Sequence, residues 1–168
     1  FETADALDDF VHLWAVPHGR LLAGLAEADF STQRRWADEL ARGFFHLDRL
    51  VRLPPDAKPN RLFLPLDDLR QAGVSVEQLR AGTVDESVRR LLWKHSVRIR
   101  DALVQGRSLI NDLSFRQGYA LKWYWMGARA LLEELDRREY DLWGRPLDLG
   151  PFRRAQVYAQ TLFGRAGL

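Results

Sequence analysis

The chain has 168 residues, 25 basic and 23 acidic, for a net charge of +2; so even a balance gives no field for a polyanion, and no nucleic-acid partner is expected. With 46% apolar residues and six Trp it can bury a sizeable core, and one domain over 1–168 is expected. The absence of Cys excludes a disulfide framework and cysteine chemistry and points to the cytoplasm, and no run of about 18 apolar residues is present to span a bilayer. No signal peptide is visible. The chain opens on Phe1 rather than Met, which implies sequence upstream.

In chain order, Thr3 is placed to cap a first helix, with Leu7, Phe10, Val11, Trp14 and His18 at helical spacing. Pro17 should kink it, and the apolar pattern resumes at Leu21, Leu22 and Leu25. Ser31 is the expected cap of the next helix, whose stripe is Trp36, Leu40, Phe44, Leu47 and Val51. Pro65 to Gln71 predicts a short helix stopped near Gly73. Ser75 and Gln78 make a capping box that Gly82 ends. Thr83 or Asp85 opens a long helix with an apolar face from Val88 to Leu113. Ser114 caps another, whose seam is Leu121, Trp125, Ala128, Leu132 and Leu135. Gly144 and Pro146 break it, and Pro151 sits at the first position of a last helix ending near Phe163. No segment alternates with period two, so the fold class is all-α.

Between the second and third helical patterns lies Asp48 to Asp68. Pro54 and Pro55 disfavour further helix, so this stretch is expected to be a loop fixed by prolines. It is either a rigid connector or a recognition loop. Asp48 and Arg52 stand at i,i+4, the spacing of a surface ion pair. Alternatively, Arg52 and Arg61, with Lys58 nearby, bind a phosphate directly.

Arg61-Leu-Phe-Leu-Pro65, then Gly73-Val74 and Leu79, resembles the "G-R-x-Y-L-P … G-V … L" stretch of the squalene/phytoene synthase family. Tyr140-Asp-Leu-Trp143 resembles its "G-Y-D-V-F" turn, and Ala15 and Gly19 fit its "A-G-x-x-G" spacing. The resemblance spans almost the whole chain, as the C-terminal part of an all-α bundle of the isoprenoid synthase type. It implies head-to-head joining of prenyl diphosphates, with Mg²⁺ on two Asp-rich motifs holding the leaving diphosphate. The second motif reads roughly "N-x-x-R-D-x-x-x-D". Matched backwards from Arg61, its last Asp falls on Asp56, its first Asp on Arg52, its Arg on Val51, its Asn on Asp48, and the glycine before the Arg on Asn60. Asp56 and Asp48 are thus the remaining metal candidates, and Arg52 at a ligand position would repel a cation. The first motif has no counterpart here. The resemblance therefore implies an impaired or inactive transferase, a pseudoenzyme, needing Mg²⁺ only if the parent protein is catalytic. The alternative is a non-catalytic relative that binds a prenyl lipid or a protein partner.

The remaining candidates have bland readings beside sharp ones. His95 lies on an apolar stripe and reads as a hydrogen-bonded core residue. Trp125 reads as core, while Trp123 or Tyr124 could line a cavity or a partner surface. Asp67 and Asp68 open a short helix, where the dipole favours acids. The Arg34-Arg35, Arg89-Arg90 and Arg137-Arg138 pairs read as solvated faces, with peripheral contact to acidic lipid headgroups as the alternative. A chain cut from a larger bundle should also cover its open side by forming a homodimer, through the stripe of Trp36, Leu40, Phe44 and Leu47.

Overall fold

The structure is a computed structural model and describes residues 1–59 and 61–163. The described residues form eight helices and no strand: α1 (Ala4–Leu25), α2 (Arg34–Val51), α3 (Leu53–Ala57), α4 (Leu66–Ala72), α5 (Val76–Ala81), α6 (Glu86–Asp112), α7 (Phe115–Arg137) and α8 (Pro151–Phe163).

Four helix starts follow from side-chain caps. The Thr3 hydroxyl accepts from the Ala6 N–H and an Asp85 carboxylate oxygen from the Val88 N–H. Ser75 with Gln78 and Ser114 with Gln117 each close a reciprocal capping box. Gly73 and Gly82 end α4 and α5 with φ of 69° and 71°, a region glycine enters without steric cost.

Two boundaries differ from expectation. Ser31 caps nothing, because its own N–H and hydroxyl both donate to the Asp29 carboxylate. The helix starts three residues later, after Gln33, without a side-chain cap. The proline stretch is not a plain loop either. Leu53–Ala57 forms a short helix with both prolines in its first turn, where the backbone N–H has no intrahelical partner to lose. The Asp56 N–H closes that turn on the Arg52 carbonyl at 3.0 Å. Asn60 lies outside the described residues.

The long helices α1 and α6 pack closely against α2. Leu40 of α2 seats against Gly106 of α6, and Leu103 of α6 seats against Gly43 of α2. On its other flank α2 meets α1 at Gly19, where an added methyl carbon would stand 2.3 Å from the Cβ of Ala41. That contact chooses which stripe of α1 is buried. Leu7, Val11, Val16 and Ala23 point inward, whereas Trp14, Leu21, Leu22 and Leu25 are exposed, contrary to the apolar continuation read from the sequence. α1 remains one helix through Pro17. The stripe expected to form a dimer surface is largely used within the chain: Leu40 and Leu47 are buried, and Trp36 and Phe44 are partly covered. The α7 seam is as expected, with Trp125, Ala128, Leu132 and Leu135 buried and Leu121 partly so. None of the described helices is long and apolar enough to cross a membrane.

The Gly19 contact gives a sharp expectation. Gly19→Ala should lower stability by about 1–3 kcal/mol through overpacking, although Ala is the better helix former by about 1 kcal/mol. Ala41→Gly should destabilise the parent chain yet raise the melting temperature of the Gly19→Ala chain. If Ala41→Gly acts alike in both backgrounds by thermal unfolding, the close approach is not real.

Candidate functional site

The α2 face carrying Phe44, Leu47 and Val51 is opposed by Trp123, Tyr124, Gly127 and Leu131 of α7, with Val157 of α8 along the edge. A groove of about 590 Å³ lies between them. Phe44 and Tyr124 meet edge-on across it, with ring centroids 6.4 Å apart. At Gly127 the wall is bare: an added methyl would meet nothing within 4 Å. Both Trp123 and Tyr124 line this groove, as one of the sequence alternatives allowed.

The groove has a polar rim. Asp48 stands at the α2 edge, and Asp148 stands opposite with both its oxygens 2.6 Å from Nη2 of Arg154. Asp48 is itself occupied. Arg52 Nε donates to one oxygen at 2.9 Å, and Arg49 donates to the other through Nε, at 3.0 Å, and through Nη2. Burial pushes the Asp48 carboxyl up, but the bonds from Arg52 and Arg49 outweigh it and hold the group below the usual carboxylate range. Arg49 also reaches Asp56 with Nη1 at 3.6 Å, and it is stacked over Phe63 and Phe45, 5.1 and 5.8 Å from their centroids. One guanidinium thus ties both candidate metal carboxylates together.

Arg52 makes the expected i,i+4 pair with Asp48 on the surface. Lys58 and Arg61 are exposed, and their side chains take no hydrogen bond or ion pair among the described residues; the Arg61 N–H donates to the Asp56 carbonyl at 2.9 Å. Arg49 carried no sequence signal, since a residue next to Asp48 faces a different side of an ideal helix. Among the described residues no group of three or more His, Cys, Asp or Glu side chains is placed to hold a metal ion.

A second polar centre lies across α2. Asp68 is buried, and its two oxygens accept from Lys94 Nζ and Arg98 Nη1, each at 2.8 Å, with His95 Nε2 at 3.4 Å. Burial raises the Asp68 carboxyl, yet the Lys94 and Arg98 bonds and the neighbouring charges bring it below its ordinary value. Its helix-opening role, read from the sequence, is secondary to this clamp between α4 and α6. Lys94 and Arg98, four apart and flanking a histidine on an apolar stripe, were the legible signal. His95 and His46 line a pocket of about 310 Å³ between α1, α2 and α6. His95 is core, as expected, but its Nε2 makes no hydrogen bond. Burial drives its pKa down to about 4, against the pull of Asp68 and together with the Arg98 charge.

The profile of the squalene/phytoene synthase family matches residues 1–159. Phytoene synthase of Thermus thermophilus is 30% identical over 137 residues, covering 82% of this chain and 47% of that protein. The chloroplastic phytoene synthase 2 of Solanum lycopersicum is 28% identical over 134 residues, 78% of this chain and 42% of that protein. The chain therefore spans less than half the length of these relatives. Among solved structures, squalene synthase HpnC from Alicyclobacillus acidocaldarius superposes with a TM-score of 0.77 at 26% identity, covering 84% of this chain and 54% of that one. A dehydrosqualene synthase solved with a ligand superposes with a TM-score of 0.84 at 17% identity, covering 96% and 57%, a likeness of fold. The all-α bundle is thus of the terpenoid synthase type. Profile, relatives and fold agree: the chain belongs to the squalene/phytoene synthase family.

Proposed function

We propose that this chain supplies the prenyl-binding wall of a squalene/phytoene synthase-like protein of isoprenoid biosynthesis, holding the hydrocarbon of a prenyl diphosphate in the groove between α2, α7 and α8. The observation that carries this reading is an aromatic groove whose floor stands open at Gly127. Apolar walls of this kind reward a long hydrocarbon at roughly 25 cal/mol per Å² buried. The polar rim at Asp48, Asp148 and Arg154 suits the end of such a ligand that stays wet.

The residues present do not fit a Mg²⁺ cluster. A hard cation of this kind takes about six oxygen ligands in octahedral geometry. Here Asp48 and Asp56 are the only carboxylates of the motif, and both are engaged by guanidinium groups. Arg52 adds a positive charge where a ligand would stand. Within the motif stretch, the groups left for a diphosphate are the cations Arg52, Arg61 and Lys58, by ionic contact.

The alternative, head-to-head prenyl transfer, is favoured by the family match and needs carboxylates from elsewhere in the protein. Calorimetric titration with farnesyl diphosphate discriminates. Binding should be equal with and without Mg²⁺, and Mg²⁺ alone should bind no more tightly than about millimolar. Gly127→Leu should fill the groove and weaken farnesyl diphosphate binding by about tenfold or more, with unchanged or slightly raised stability. Unaltered binding by the folded Gly127→Leu chain would remove the groove from the reading. Tight Mg²⁺-dependent binding with diphosphate release would instead favour transfer.

A further inference from the structure

Of the three motif cations, Arg52 is paired with Asp48, whereas Lys58 and Arg61 are exposed and their side chains take no partner among the described residues. An exposed side chain without a partner is placed only by its backbone. Here that backbone runs between Asp56 and Phe63, and Arg49 of α2 touches both. Its Nη1 stands 3.6 Å from Asp56 Oδ2, and its guanidinium carbon lies 5.1 Å from the Phe63 centroid.

Both contacts depend on a guanidinium. Asp56 Oδ2 is buried and accepts no hydrogen bond, so the ion pair with Arg49 is what compensates its burial. Without that charge the turn would have to open to wet the oxygen. Arg61 would move with it, because the Arg61 N–H donates to the Asp56 carbonyl at 2.9 Å. At the other end, the guanidinium lies over Phe63 and Phe45, whose rings meet edge-on with centroids 5.7 Å apart. Phe63 is also 6.0 Å from Phe1 and from Phe10 of α1. Arg49 itself is fixed by Nε and Nη2 on Asp48. A planar fork serves two carboxylates and a ring face at once, which the point charge of an ammonium cannot do. Asp48 and Asp56, which the family motif would offer to a metal ion, thus hold a cation that the chain itself supplies.

We infer that Arg49 is the positioning residue of the diphosphate site: it does not touch the ligand, but through Asp56 and Phe63 it sets where Lys58 and Arg61 stand. The inference rests on the reading that these two cations meet the diphosphate of a prenyl ligand.

The test is calorimetric titration of the chain and its variants with farnesyl diphosphate and with farnesol, which has the same hydrocarbon and no phosphate. Arg49→Gln should weaken farnesyl diphosphate binding by about fivefold or more and leave farnesol binding within about twofold. Arg49→Lys, which keeps the charge and loses the fork, should show the same selective loss, and it carries the test alone if Arg49→Gln does not fold. Lys58→Gln with Arg61→Gln should also weaken farnesyl diphosphate selectively. Arg49→Gln added to that pair should then cost no more than about twofold further, since nothing is left for it to position. Equal losses for the two ligands would mark a purely structural residue and overturn the inference. So would an Arg49 loss that adds in full to that of Lys58 and Arg61, which marks a direct contact, or Arg49 variants that bind like the parent while the Lys58 and Arg61 pair does not. If the Lys58→Gln and Arg61→Gln chain itself binds farnesyl diphosphate like the parent, the reading of those cations falls, and the inference falls with it.

Discussion

Replacing Trp125 with alanine should lower the free energy of unfolding by about 3–5 kcal/mol, the largest single-residue effect expected in this chain. The ring is buried between α6 and α7 and belongs to the large apolar cluster of the core. Its removal opens a cavity that Leu103 and Leu132, both on rigid helices, cannot collapse to fill. It also strands the Leu103 carbonyl that accepted the indole N–H and takes the aromatic face away from two guanidinium groups. Urea denaturation should show the midpoint falling with little change in slope. A loss below about 1 kcal/mol would mean that the ring does not occupy the core.

Mild acid should destabilise the fold, and His95 should account for much of the effect. The unfolded imidazole titrates near 6.5, whereas burial holds the folded one at about 4. Between those values the unfolded chain takes up a proton that the folded chain refuses. Stability from this group is thus complete above roughly pH 6.5 and is lost progressively as pH falls towards 4, by about 3 kcal/mol in all. His46, also depressed by burial, adds to the same trend. Asp68, whose folded value lies below its ordinary one, acts in a lower window, losing its contribution only as pH falls below about 4. Denaturation midpoints at stepwise pH should therefore decline less steeply between roughly pH 6.5 and 4 for His95→Gln than for the parent chain. Parallel declines would assign the acid sensitivity elsewhere.

Helix existence was legible because period and punctuation agreed. Thr3, Ser75, Asp85 and Ser114 each stand before an apolar repeat and each makes the cap bond expected of it. What was hidden depended on contacts between elements. α1 carries apolar residues on two faces, and only the Gly19–Ala41 approach decides that Trp14 and Leu22 stay outside. Ser31 has the right chemistry for a cap, but Asp29, two residues earlier, claims its hydroxyl first. Pro54 and Pro55 weigh against a helix interior and say nothing against a first turn.

The same division holds for the site. The Asp48–Arg52 pair follows from i,i+4 spacing, and the departure from the family motif is visible residue by residue. Arg49 could not be found that way, because its role comes from Asp56 and Phe63 folding back beside it after the proline turn. Nor could the bareness of Gly127 be read, since the empty space at a glycine is a property of what faces it.

The reciprocal seating of Leu40 against Gly106 and of Leu103 against Gly43 makes α2 a fixed ruler. A shift along the axis or a turn about it would drive a leucine into a neighbouring backbone, so the residues further along it are graduations whose spacing does not depend on their identity. Chemistry written at positions 48, 51 and 52 can therefore drift while the frame stands still. It can also be rewritten: Asp48→Asn, Val51→Arg and Arg52→Asp together would restore the family's letters at the end of a helix already in register, with Val51 the one core-packed side chain changed.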